Sequence, residues 1–237
     1  MKLTIVYDNR TEDPNLLSDW GFGCVMQHAE ANVLFDTGTH PKILLHNMAE
    51  LGLSPTDIDA VILSHEHYDH TGGLSGFLRE NSDVTVFLPS AFSQQFKQEV
   101  QSAGATLVEI SEPREIVDGV SSTGPMGDAI IEQSLVMPST EGLVVMTGCA
   151  HPGIVNIVET ARKQYGEDIE LVVGGFHLND TPIGRVDDII AQLQEMDVAH
   201  AGPCHCTGDA AIARFADTYG DNFVKIGVGW HSTFDTL

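Results

Sequence analysis

Four side chains able to bind a cation, His65, His67, Asp69 and His70, fall within six residues of the stretch SHEHYDHTGG, Ser64 to Gly73. Imidazole and carboxylate are the donors that suit a catalytic divalent ion, which must also keep a position open for water. A histidine standing alone is more often structural, but His-x-His-x-Asp-His directly after the apolar run Val61–Leu63 reverses that expectation in favour of metal. If the segment is extended, His65, His67 and Asp69 share one face while His70 points toward a second centre. Two neighbouring cations follow from that spacing. Thr71, Gly72 and Gly73 then allow a tight turn that brings backbone close to whatever the side chains hold.

Three further histidines stand in comparable places. In TGCAHPGIVNIV, Thr147 to Val158, His151 precedes a helix opened by Pro152, and the positive helix end keeps the ring neutral and able to bind metal. Cys149 beside it is either a soft ligand or a buried thiol. In GGFHL, Gly174 to Leu178, His177 lies between a strand end and a helix start, an active-site position facing either metal or substrate. In PCHCTGD, Pro203 to Asp209, His205 reads as a ligand of the main site in preference to a Cys-His-Cys zinc knuckle, since Cys204 and Cys206 have no partner pair. Asp36 of VLFDTG is either a carboxylate that orients a ligand or the acceptor of a plain Asx turn. His28, His40, His46, His200 and His231 lack such settings and read as surface or core residues.

These side chains need a scaffold of strand ends. Short β-branched runs at Leu3–Tyr7, Gly23–Gln27, Val33–Phe35, Val61–Leu63, Val84–Leu88, Leu107–Ile110, Leu135–Met137, Leu143–Met146, Leu171–Val173 and Phe223–Val228 read as strands. Ile154, Ile157, Val158 and Ala161, and again Val186, Ile189, Ile190 and Leu193, follow helical spacing. Mixed strands and helices indicate α/β layers. Residues 111–128, with three glycines, two prolines and no sustained period, read as a long connection or a lid. It separates pseudo-halves at about 1–110 and 129–237 within a single expected domain, 1–237. In both halves a strand runs into a histidine-bearing loop, VILSHEH and LVVGGFH.

Bulk composition narrows the function classes. Hydrophobic residues make up 42% and charged residues 19%, enough apolar content for a packed core. With 34 acidic against 11 basic residues the formal net charge is −23, which disfavours nucleic-acid backbones and anionic membranes as partners. A small anionic substrate in a cationic pocket stays open. The acidity would also suit a high-salt cytoplasm, where screening removes self-repulsion. No run approaches a signal-peptide core or a bilayer span, and the four scattered cysteines suggest reduced thiols, so a cytoplasmic location is expected.

Taken together, the motifs resemble those of the metallo-β-lactamase superfamily. His65, His67, Asp69 and His70 match its His-x-His-x-Asp-His motif in full, and the resemblance runs from VLFDTG to HCTG. SHxHYDHTGGL, GCxHPGIVN, GGFHL and HCTG occur together and in order, as in the branch that includes the dihydropterin ribofuranosylaminobenzene phosphate synthase of methanopterin biosynthesis. The resemblance implies a four-layer αββα sandwich of two mixed sheets with the metal site at one edge. It implies two divalent ions, zinc first with manganese or iron as alternatives: His65, His67 and His151 at one, and Asp69, His70 and His205 at the other. The family's bridging aspartate has no GD pair here, and Cys149 and His177 are the nearest candidates for its place. The expected activity is hydrolysis of a small phosphate-, ester- or lactone-containing substrate by a metal-activated hydroxide. Asp69 and His177 would be the catalytic side chains. A synthase-like transferase and a non-catalytic metal-binding domain are the alternatives.

Overall fold

The period-two alternation of the apolar runs gives each strand two buried faces, and the structure resolves that demand by covering both. The computed structural model describes every residue except Glu30, Glu167, Thr236 and Leu237. In chain order the elements are β1 (Lys2–Tyr7), β2 (Gly23–Gln27), β3 (Asn32–Phe35), α1 (Pro41–Glu50), β4 (Ala60–Ile62), α2 (Tyr68–Thr71), α3 (Leu74–Glu80), β5 (Thr85–Pro89), α4 (Gln94–Ser102) and β6 (Thr106–Ile110). They continue with β7 (Arg114–Val117), β8 (Val120–Ser122), β9 (Leu135–Ser139), β10 (Gly142–Thr147), α5 (Ile154–Tyr165), β11 (Ile169–Gly175), α6 (Ile183–Glu195), β12 (His200–Cys204), α7 (Asp209–Tyr219) and β13 (His231–Thr233).

Two mixed sheets result. The first has the order β13-β1-β2-β3-β4-β5-β6 and the second β12-β11-β10-β9-β8-β7. Strands β3 to β6 are parallel, as are β10 to β12, while β1, β2 and β7 to β9 pair antiparallel. Between the sheets, Ile5, Phe35 and Ile62 of the first meet Val144, Met146, Leu171 and Val173 of the second. On the outer face of the first sheet Leu34, Val61 and Val86 pack against Leu44, Met48, Phe77 and Val100 of α1, α3 and α4. Behind the second, Val145 and Val172 meet Ile157, Val158, Val186, Leu193 and Phe215 of α5 to α7. Adjacent residues such as Val144 and Val145 thus enter opposite cores, as a pleat requires. The layers are helix, sheet, sheet, helix, the αββα sandwich expected from the motifs.

Three local expectations change. Residues 111–128, read as a connection, hold the edge hairpin β7–β8; Arg114 pairs with Ser122 and Val117 with Val120, and Val120 closes the inter-sheet core. Phe223–Val228 is not a strand. Its amides go first to Ala201 O of β12 (2.9 Å, from Val224) and then to Arg10 O in the loop after β1 (2.8 Å, from Val228), so it makes isolated bridges and no ladder. The terminal strand is instead β13, which returns to pair with β1 in the first sheet. Among the described residues, no helix is long and apolar enough to cross a membrane.

The helical layer behind the second sheet is well enough packed to test. Ile157 is fully buried between α5 and the sheet, so Ile157→Ala should cost about 2–5 kcal/mol. Urea unfolding should show this as a lower midpoint at an unchanged slope.

Candidate metal centre

All the candidate side chains sit just beyond the carboxyl ends of strands, where an open α/β sheet presents its ligands. Asp36 follows β3, His65 follows β4, Cys149 and His151 follow β10, His177 follows β11 and His205 follows β12. The chain must turn sharply at these points. Among the described residues, four of the five non-glycine positions with positive φ lie here: Asp36 (55°), Ala150 (61°), His177 (52°) and His205 (48°). Such backbone is costly for a residue with a Cβ and persists where surrounding contacts hold it. At Gly148 the two sheet ends come so close that a Cβ would run into Ser64 Oγ and lie 2.9 Å from Asp36 Oδ2.

Asp36 organises the first cluster. Its Oδ1 accepts from the Ser64 amide at 2.7 Å, and its Oδ2 accepts from Ser64 Oγ and from His70 Nδ1, each at 2.7 Å. Ser64 Oγ, having donated to Asp36, accepts from His65 Nδ1 at 2.8 Å. Both rings therefore carry their proton on Nδ1 and turn a bare Nε2 inward. His65 Nε2 meets His67 Nδ1 at 3.0 Å, and the His65 and His67 rings lie 4.6 and 4.9 Å from that of His151. On the other side, His70 Nε2 lies 3.2 Å from Cys149 Sγ and 3.7 Å from Asp69 Oδ2, which is in turn 3.2 Å from His205 Nε2. Asp36 is thus an orienting carboxylate and not merely the acceptor of an Asx turn.

The donors fall into two main groups. Donor atoms of Asp69, His70, Cys149 and His205 lie within 4.8 Å of one another, as do those of His65, Cys149 and His151. His67 adjoins the second group through its contact with His65. Asp69 does not share a face with His65 and His67, as an extended chain would require. It lies in α2, whose helical turn rotates it toward His70 and His205. Cys149 belongs to both groups, occupying the middle position, and His177 stands beside them with its ring 4.5 Å from that of His151.

A cation fits this arrangement. Among the described residues, buried His205 Nε2 has no hydrogen-bond partner; its Nδ1 faces Asn9, so Nε2 turns a lone pair toward the Asp69 carboxylate 3.2 Å away, an expensive state unless something else meets it. Burial pushes His65 and His70 down to about 3, so their rings are neutral with lone pairs available across the neutral range. Burial also raises Asp69, but the His205 ring 3.2 Å away and the His70 ring beside it outweigh this and hold the carboxylate below its usual range. Trp20 Nε1 donates to Asp69 Oδ2 at 2.8 Å and fixes its direction.

Several supporting residues escaped sequence reasoning. Glu132, 1% exposed, accepts from the amides of Cys149 (2.8 Å), Ala150 (2.9 Å) and His151 (2.9 Å), and from His151 Nδ1 at 2.8 Å. Burial raises this carboxyl, yet these four donors, His151 foremost, bring it down to about 2. It shapes the loop and forces the His151 proton onto Nδ1. Asn9, just after β1, accepts at 3.1 Å from His205 Nδ1 and donates to His205 O at 2.9 Å. An acid embedded in the apolar run IIEQSLV was the available signal for Glu132; Asn9 offered only its position after a strand, and Trp20, between β1 and β2, offered none. Glu132→Gln, which keeps the shape and removes the charge, should weaken metal affinity by about 10–100-fold while the circular dichroism spectrum is retained, as calorimetric titration of zinc would measure.

The metallo-β-lactamase superfamily model matches residues 24–165. The 7,8-dihydropterin-6-methyl-4-(β-D-ribofuranosyl)-aminobenzene-5'-phosphate synthase of Methanocaldococcus jannaschii is 28% identical over 83% of this chain and 82% of its own. An uncharacterized protein of the same organism is 26% identical over 96% of this chain and 98% of its own. The crystal structure of a metal-dependent hydrolase of the β-lactamase superfamily has a TM-score of 0.84 with 29% identity, covering 99% of each chain. With the αββα layers, the histidine-bearing strand ends and a family match across more than half its length, the chain belongs to the metallo-β-lactamase superfamily.

Proposed function

We propose that the protein is a metal-dependent hydrolase of a small anionic phosphate, ester or lactone, with two divalent ions, zinc foremost, as its cofactors. The convergence of two donor groups on one thiol carries the reading. His65, His67 and His151 would hold one ion and Asp69, His70 and His205 the other, with Cys149 in the middle position where relatives carry an aspartate. Bound there, the ions would supply Lewis acidity and a water of lowered pKa.

The protein's own groups do the rest. Asp36 and Glu132 hold three of the rings in the tautomer that presents Nε2. Asp69, kept ionised and aimed by Trp20, orients the nucleophilic water. His177 forms the opposite wall; Cys206 beside it outweighs burial and raises its pKa above the usual imidazole value, which favours the protonated ring that could serve a leaving group. Beside His151 and His177 a cavity of about 240 Å³ is lined by Phe176 and Ile189 and by the polar ends of Asn156, Arg185 and Gln192. In a chain with so few cations, Arg185 at this rim is a natural partner for an anionic substituent.

The relative from M. jannaschii favours a second reading, a synthase-like transferase in which metal clamps a pyrophosphate leaving group. A turnover screen over phosphomonoesters, phosphodiesters, lactones and thioesters, at high and low salt and with metal content measured, tests the first reading. Condensed product from a dihydropterin pyrophosphate and the aryl ribotide, with no hydrolysis in that screen, would decide for the second. His67→Ala should lose both metal and turnover, whereas His177→Ala should keep most of its metal; equal metal loss would move His177 into the coordination shell. Since the acid form of His177 is the active one, turnover should fall as pH rises past its pKa, above 6.5. His177→Gln should lack that limb of the pH profile.

A further inference from the structure

Cys206 enters the chemistry above only as a neighbour of His177, yet it is 4% exposed and lies against the centre. Strands β10, β11 and β12 are adjacent and parallel, so their carboxyl ends stand side by side at the strand spacing of about 4.8 Å. Each end contributes one donor to a further group: Cys149, His177 and Cys206. Their donor atoms lie within 4.8 Å of one another, and the Cys206 thiol also reaches Cys149 O at 3.6 Å. Gly175 keeps the space between them clear, since a Cβ there would come 2.7 Å from Cys206 Sγ and 3.2 Å from the Cys149 Cα. The left-handed backbone at His177, φ 52°, follows immediately and turns the chain at the strand end.

Donors on one tetrahedral ion with Zn–S of about 2.3 Å and Zn–N of about 2.0 Å sit roughly 3.5–4 Å apart. Small side-chain rotations therefore suffice to close these three around an ion. Two sulfurs and one imidazole suit a soft d10 cation, whereas the neighbouring imidazole and carboxylate groups suit harder ones.

We propose that Cys149, His177 and Cys206 form a third cation site, specific for a thiophilic ion such as copper(I), zinc or cadmium. Binding there would release to solvent the extra proton of the His177 ring and any proton the two sulfurs still carry, with no change of oxidation state, and replace the His177–Cys206 contact by one bond from each residue to the ion. Because the site takes its imidazole from the wall of the centre and its middle thiol from the centre itself, occupation also withdraws both from any reaction. The site needs no turnover to exist and stands apart from the hydrolase reading.

Cadmium is the probe. Added to the full-length protein as isolated with its own metal, it should produce a thiolate-to-cadmium charge-transfer band in the ultraviolet that saturates at one equivalent. The ¹¹³Cd NMR shift should be that of a two-sulfur environment. Cys206→Ser and His177→Ala should each weaken this cadmium binding by at least about tenfold, with the metal as isolated retained, whereas Cys24→Ser should leave it unchanged. A ¹¹³Cd shift of a one-sulfur or sulfur-free environment in the unaltered protein, or a full-strength band in Cys206→Ser, would overturn the proposal. The NMR measurement needs no variant, so it decides even if Cys206→Ser fails to fold.

Discussion

The carboxylate of Asp36 is the constraint on which the site depends. Fully buried, it receives the Ser64 amide, the Ser64 hydroxyl and the His70 ring. Burial pushes its pKa up to about 7, so each of these donors matters to its ionised form. The knot joins the end of β3 to the end of β4 and to α2, and it reaches His65 through Ser64. Thr37 completes it, its amide and hydroxyl both bonding His70 O, at 2.7 and 2.8 Å. Two rings are thereby held in one tautomer and one direction before any cation arrives, which is how an orienting partner raises a ligand's effectiveness.

Glu132 is the counterpart from the second sheet. It gathers three consecutive amides of the loop after β10, where Ala150 takes a left-handed backbone, and sets the His151 tautomer as Asp36 sets that of His70. The two carboxylates resemble each other in role and differ in charge balance: four donors hold Glu132 low, while desolvation dominates at Asp36. Between them, at the close approach of Gly148 to Ser64, the ends of two separate sheets become one rigid rim. A centre assembled from both sheets can be positioned only if that rim does not slide.

A surface with a net charge of −23 surrounds the site. Burial keeps the His65 and His70 rings neutral, so neither repels an incoming cation, while the acidic exterior raises cation concentration near the protein. Anionic ligands gain nothing from that exterior. Their recognition has to come from local positive groups such as Arg185 and from the centre itself.

Much of the fold and centre was legible in the sequence, and the limits follow from what local sequence encodes. Alternating β-branched runs depend on neighbours two residues away, so β1 to β6 and β9 to β11 were readable, as were the stripes of α5 and α6. Phe223–Val228 shares that composition but hands its hydrogen bonds to β12 and to the loop after β1. The hairpin β7–β8 has too little apolar content to announce itself; its place at a sheet edge relaxes the need for it. The structure brings the rings of His65, His67, His70, His151 and His205 close to one another, and each was legible as a candidate from its motif. Which donors meet was not: α2 swings Asp69 away from His65 and toward His205, and parallel packing of β10, β11 and β12 sets Cys149, His177 and Cys206 together from positions up to 57 residues apart. Residue types and strand-end spacing determined the kind of chemistry available. Only the tertiary structure decided the groupings, because distances between strand ends depend on sheet order, which no local pattern carries.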